Sequence, residues 1–178
     1  MFSNESLKKL IIPIFMDQIL IIIASIIATM MISYAGEASV SAVSLIDMIN
    51  MLLINVLAAL TAGGAVIVSQ YIGFRDKNKS CIAASQLFTI ATIISIGIMG
   101  FVFIFHKPLL KILFGNVDYN VMNLAITYFV IYSISYPFLS IYDSGAALFR
   151  SIGNSRVPMI VSIAMNAINI VGNAIGIF

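Results

Sequence analysis

Residues 82–105 read IAASQLFTIATIISIGIMGFVFIF, without one acidic or basic side chain. A helix rising about 1.5 Å per residue crosses a hydrocarbon core about 30 Å thick in roughly 20 residues. Four more apolar stretches of similar or greater length flank it, at approximately 10–33, 40–72, 121–142 and 157–178. A water-soluble fold of 178 residues has no interior large enough to hide five such segments. The reading is an all-α, polytopic transmembrane helix bundle. Composition agrees, with 61% hydrophobic and only 9% charged residues, against about 25% charged in soluble domains.

Lys8 and Lys9 precede the first apolar run, as in a secretory signal. The run exceeds the roughly 7–15 residues of a signal core, so it is read as a retained span. Tryptophan is absent, which leaves Tyr34 and Tyr71 as interface anchors at span ends. Cys81 is the only cysteine, so no disulfide forms within the chain. No His/Cys grouping has metal-ligand spacing, and no metal site is expected.

The basic residues set an orientation. Lys8, Lys9, Arg75, Lys77, Lys79, Arg150 and Arg156 fall on one side of the predicted spans. Lys107 and Lys111 fall on the other. Cytoplasmic loops are rich in Lys and Arg, so the N-terminus is expected in the cytoplasm. Segments 34–39 and 106–120 are then external. His106 reads as a solvated loop residue, with pH sensing as the alternative. The segment 106–120 fits a short helix lying on the outer surface, or a tight loop.

Polar residues inside the spans carry the functional signal. Asp17 and Asp47 lie in spans one and two, where an acid at the bilayer centre costs roughly 2.5–3.5 kcal/mol. Each is a candidate for binding a coupling ion. The alternative for each is an interfacial or helix-capping carboxylate. Ser44, Asp47 and Asn55 share one narrow sector of span two, with Asn50 at its border. In span five, Ser162, Asn166, Asn169 and Asn173 share a sector about 60° wide. Lipid does not satisfy such stripes, so they face a wet cavity or other helices.

Tyr128, Tyr132 and Tyr136 stack at i, i+4 in span four, with Asp143 on roughly the same side. Their faces suit an amphipathic cation, although packing alone also explains them. Gly63 and Gly64 permit close helix approach or a kink. Pro13 and Pro137 each free a backbone carbonyl and can bend a helix. No P-loop, H-E-x-x-H or G-x-S-x-G is present, so no enzyme activity is expected.

Several stretches together resemble the multidrug and toxic compound extrusion (MATE) transporters. LIIPIFMDQIL (10–20) looks like their first-helix opening. TMMISYAGEASVSAVSLIDMIN (29–50) is similar to the junction of their first two helices. TAGGAVIVSQYIGFRDKN (61–78) looks like the end of helix two. YPFLSIYDSGAALFRSIGNSRVP (136–158) carries Arg150, Gly153 and Pro158 in an R-x-x-G-x-x-x-x-P pattern, with Asn154 after the glycine. NAINIVGN (166–173) resembles the start of the helix-five motif.

The resemblance implies a twelve-helix transporter of two six-helix lobes. Residues 1–178 would supply five helices of the N-terminal lobe, and a fragment is expected. The implied activity is export of small, cationic or amphipathic compounds by antiport with a proton or sodium ion, through alternating access. No other cofactor is implied. The implied partners are the substrate, the lipid bilayer and the remaining helices, with no nucleic acid. The implied location is the bacterial plasma membrane.

The ion-coupling candidates are Asp17 first and Asp47 second. The cavity candidates are Asn55, Asn166, Asn169, Asn173 and Tyr132. Where many relatives place an aspartate in helix one, this chain has Ala28. Where some pair an asparagine with an aspartate in helix five, it has Asn169 and Asn173. Asp17 sits about 20° around the helix from Ala28 and about 16 Å deeper, and is a candidate relocated carboxylate. The rival functions are a lipid-linked oligosaccharide flippase of the same superfamily and a non-transporting membrane scaffold.

Overall fold

The computed structural model describes residues 4–115 and 117–177, without the side chains of 4–7, 9, 10, 176 and 177. The Lys9 side chain, Asn116 and Phe178, the expected end of span five, lie outside the described residues. Six helices follow one another: α1 Asn4–Ser33, α2 Glu37–Gly73, α3 Lys77–Phe114, α4 Tyr119–Ser133, α5 Tyr136–Ser151 and α6 Arg156–Ile177. No strand occurs among the described residues. Helices α1, α2, α3 and α6 are each long and apolar enough to cross a membrane. Helices α4 and α5, bent by 46° at their junction, together have the length and hydropathy of a fifth span.

Pro137 explains the bend. It lacks the N–H that would bond the Ser133 carbonyl, and its ring crowds that turn. The chain breaks at residues 134–135 and restarts with Pro137 in the first turn of α5. Pro13, by contrast, stays within a continuous α1.

Two expectations need correction. Residues 106–114 are the end of α3, with Pro108 inside it, not a separate surface helix or loop. His106 is therefore helical, with Nδ1 3.0 Å from the Phe103 carbonyl. The fourth span also runs beyond residue 142, to Ser151. Asp143 and Arg150 make residues 143–151 read as loop by hydropathy, but they sit on a continuing helix.

Successive crossings alternate in direction, which gathers Lys8, Arg75, Lys77, Lys79, Arg150 and Arg156 at one end, here the basic end. The turn after α2 closes with Arg75 in the left-handed region and Asp76 capping α3. The Lys79 N–H donates to Asp76 at 3.0 Å and holds that carboxyl below the usual carboxylate range.

Helices α2, α3, α4 and α5 pack on one another around Ala42, Ile46, Val102, Leu110, Ala125, Phe129 and Tyr136. Lipid tails are as apolar as leucine, so close packing and hydrogen bonds hold such a core together, not exclusion from water. Gly64 shows how close the packing is, because a Cβ there would run into the Leu87 side chain. Helix α1 packs chiefly on α6 and only lightly on α2.

Candidate functional site

The seam between the α1/α6 pair and the α2–α5 body holds two clefts. The first, of about 370 Å³, lies toward the end opposite the basic one. Thr29 of α1, Ser44 and Asp47 of α2, Tyr128 of α4 and Asn173 of α6 line it. The second, of about 390 Å³, lies nearer the basic end. Ile54 of α2, Tyr142 and Asp143 of α5, and Ser162 and Asn166 of α6 line it. Ser25, Ala28, Tyr132 and Asn169 belong to both walls, so the clefts meet end to end.

Each helix supplies its groups through its own repeat. The α6 stripe lines the clefts in order, from Ser162 and Asn166 through Asn169 to Asn173. Its amides are tied along the helix. Asn166 Nδ2 donates to the Ser162 carbonyl at 3.0 Å, and Asn173 Nδ2 donates to Asn169 Oδ1 at 3.1 Å. These bonds orient the amides and leave further valences facing the space.

The three tyrosines at i, i+4 spacing, Tyr128 and Tyr132 on α4 and Tyr136 at the start of α5, separate by role. Rings 128 and 132, and rings 132 and 136, lie with centroids 5.8 Å apart. Tyr128 and Tyr132 face the clefts. Tyr136 turns into the core, where its hydroxyl donates to Asn50 Oδ1 at 2.7 Å. Asn50 thus serves packing, while Asp47, three residues earlier, faces the cleft.

Asp17 is elsewhere. Its side chain is 3% exposed, and Oδ2 accepts from Arg150 Nη2 at 3.4 Å. Its other oxygen, Oδ1, is buried without a hydrogen-bond partner among the described residues. Arg150 reaches it from the last turn of α5. That turn ends where Gly153 takes φ +82°, which lets Gly153 N–H bond the Arg150 carbonyl and Asn154 N–H bond the Phe149 carbonyl.

Asp17 therefore lines neither cleft. The carboxylate sharing the first cleft with Ala28 is Asp47. Asn55 also lines neither cleft and is exposed. Eight residues carry it about 12 Å along α2 from Asp47, and Ile54 faces the second cleft in its place.

Sequence reasoning did not single out Asp143 as a site, although it had noted its side of the helix. The Asp17–Arg150 pair had no local signal, since 133 residues separate the partners. Neither cleft is lined by a lysine or arginine. No group of three or more metal-ligating side chains occurs among the described residues.

The fold and its internal clefts can now be set beside known proteins. The MatE family model matches residues 13–175. The chain belongs to the MatE family. A MatE relative in Bacillus subtilis (strain 168), described as the uncharacterized transporter YisQ, is 30% identical over 173 residues. That match covers 97% of this chain and 38% of YisQ.

Two solved structures share the fold. One is an outward-facing multidrug resistance MATE transporter of the MOP superfamily, with a TM-score of 0.89 at 20% identity. The other is a MOP superfamily transporter from Pyrococcus furiosus, described as having a binding pocket of reverse polarity, with a TM-score of 0.86 at 22% identity. Each match covers 96% of this chain and 37% of the solved one. At such identities the likeness concerns the fold. This MatE chain thus spans well under half the length of the relatives it matches, and it is a multi-pass membrane helix bundle.

Proposed function

We propose that the chain is the N-terminal part of a cation-coupled exporter of small cationic or amphipathic compounds, working by alternating access in a bacterial plasma membrane. One observation carries this reading: the two joined clefts hold Asp47 and Asp143 and no basic side chain. A lining that carries acids and no bases favours cations over anions in a low-dielectric setting. Tyr128 and Tyr132 add flat aromatic faces suited to an organic cation. The same acid-only lining disfavours an anionic lipid-linked sugar carrier.

Asp47 takes first place as the ion-coupling carboxylate. Asp17 takes second place because Arg150 already neutralises it. The ion, a proton or sodium, binds better in one conformation and thereby shifts the population between the two openings. Asn166, Asn169, Asn173 and Tyr132 remain the proposed cavity lining. The rest of the full-length protein supplies the missing helices.

Asp47→Asn in the full-length parent tests the assignment. Ion-driven efflux should fall about tenfold or more at unchanged membrane abundance. Unchanged efflux removes Asp47 from the mechanism. A scaffold role predicts instead that Asn169→Cys and Asn173→Cys resist water-soluble thiol reagents.

A further inference from the structure

The geometry points to a latch: the Asp17–Arg150 pair fastens α1 to α5 at the basic end and shuts the second cleft there. This rests on the reading of the clefts as a water path. Asp17 lies one turn beyond Ile21 toward the basic end, and Ile21 lines the second cleft. Arg150 lies two turns beyond Asp143, which lines the same cleft. The ion pair therefore sits beneath the cleft floor. Tyr142 closes the adjoining edge, its hydroxyl donating to the Pro158 carbonyl of α6 at 3.4 Å.

The seam at this level is otherwise thin. Helix α1 packs chiefly on α6, and α6 touches α5 lightly. One charged contact thus has leverage over whether α1 and α6 stay against the body. The contact is also one whose loss is felt. Asp17 is almost wholly buried, and its Oδ1 has no partner among the described residues. Without the guanidinium, a buried charge is left uncompensated, which disfavours the closed position of α1.

Arg150 touches Asp17 on α1, and Asp143 lies two turns back along its own helix. Tyr142 shares this neighbourhood with all three groups and with Ser162. A cation held at Asp143 neutralises that acid and leaves Arg150 wholly to Asp17, so the latch tightens. An empty Asp143 competes for Arg150, so the latch loosens. Cargo in the second cleft would thereby shut the basic end behind itself.

The test uses the full-length transporter in membranes, with Cys81→Ser to remove the exposed native thiol. Asn166→Cys then reports the second cleft, through its reaction rate with a charged, impermeant thiol reagent supplied at the basic face. Arg150→Gln and Asp17→Asn should each raise that rate about tenfold. Asp143→Asn should lower it. Arg150→Lys should hold the parental rate, and the double exchange Asp17→Arg with Arg150→Asp should restore it.

An unchanged rate in Arg150→Gln overturns the latch. So does a double exchange no slower than the single variants, or a loss of membrane abundance with the surviving protein reacting at the parental rate. Labelling of Asn173→Cys from the opposite face reports the water path separately. If that labelling is present while Arg150→Gln changes nothing, the latch alone fails.

Discussion

The α2–α5 body and the α1/α6 pair are built from different materials. The body closes on large apolar side chains such as Ile46, Leu110, Phe129 and Tyr136, all fully buried, with Asn50, Thr61, Ser95, Ser133, Ser140 and Ser144 enclosed among them. The pair buries a narrow line of small or polar groups: Pro13, Asp17 and Ala24 on α1, Pro158 and Ser162 on α6. Its isoleucines point away, as Ile22 at 58% and Ile168 at 72% exposure show. In a bilayer such exposure carries little penalty, whereas an unsatisfied amide does. The body is therefore the more closely packed part, and the pair is joined to it across a polar seam.

The largest expected effect tests that contrast directly. Phe129→Ala empties the centre of the body and should cost about 3–5 kcal/mol, read as a lowered unfolding midpoint in detergent. Ile168→Ala on α6 should change stability by no more than about 0.5 kcal/mol. Equal losses would mean that the pair is packed as firmly as the body.

Next comes the bond that ties α2 to α5 inside the body. Tyr136→Phe leaves Asn50 Oδ1 buried without its donor and should cost about 1–2 kcal/mol by the same measurement. A neutral outcome would mean that water reaches Asn50 and that the body is wetter than its packing implies.

The finest comparison sets one glycine against another. Gly64→Ala pushes a methyl group into Leu87 and should destabilise the body by about 1 kcal/mol, since a side chain and not backbone must yield. Gly172→Ala on α6 meets nothing within 4 Å and should be neutral or slightly stabilising. A reversal of that order would place close packing on the pair instead.

Much of this was legible in the sequence, for identifiable reasons. The apolar spans follow from hydropathy, because a span is a local property of about 20 residues. The bend at Pro137 follows from its missing donor. The α6 stripe of Ser162, Asn166, Asn169 and Asn173 keeps one face of one helix, and the structure keeps all four at the clefts.

What was not legible depends on how helices meet. Nothing near Asp17 announces Arg150, so an acid with a partner read as an acid awaiting an ion. Asn55 shares a face with Ser44 but lies three turns further along α2, where the neighbouring Ile54 lines the cleft instead, and a helical projection does not show how the seam crosses the helix. Residues 106–114 looked like a separate element because His106, Lys107 and Pro108 interrupt the apolar run. A helix emerging from lipid tolerates all three.

The four residues common to both clefts have a consequence of their own. Ser25, Ala28, Tyr132 and Asn169 are the wall that the two clefts hold in common. A substitution at any of the four therefore alters both spaces at once, whereas one at Asp47 or Asp143 alters a single space. Ala28 brings the smallest side chain of the four, so a longer one there would take volume from both.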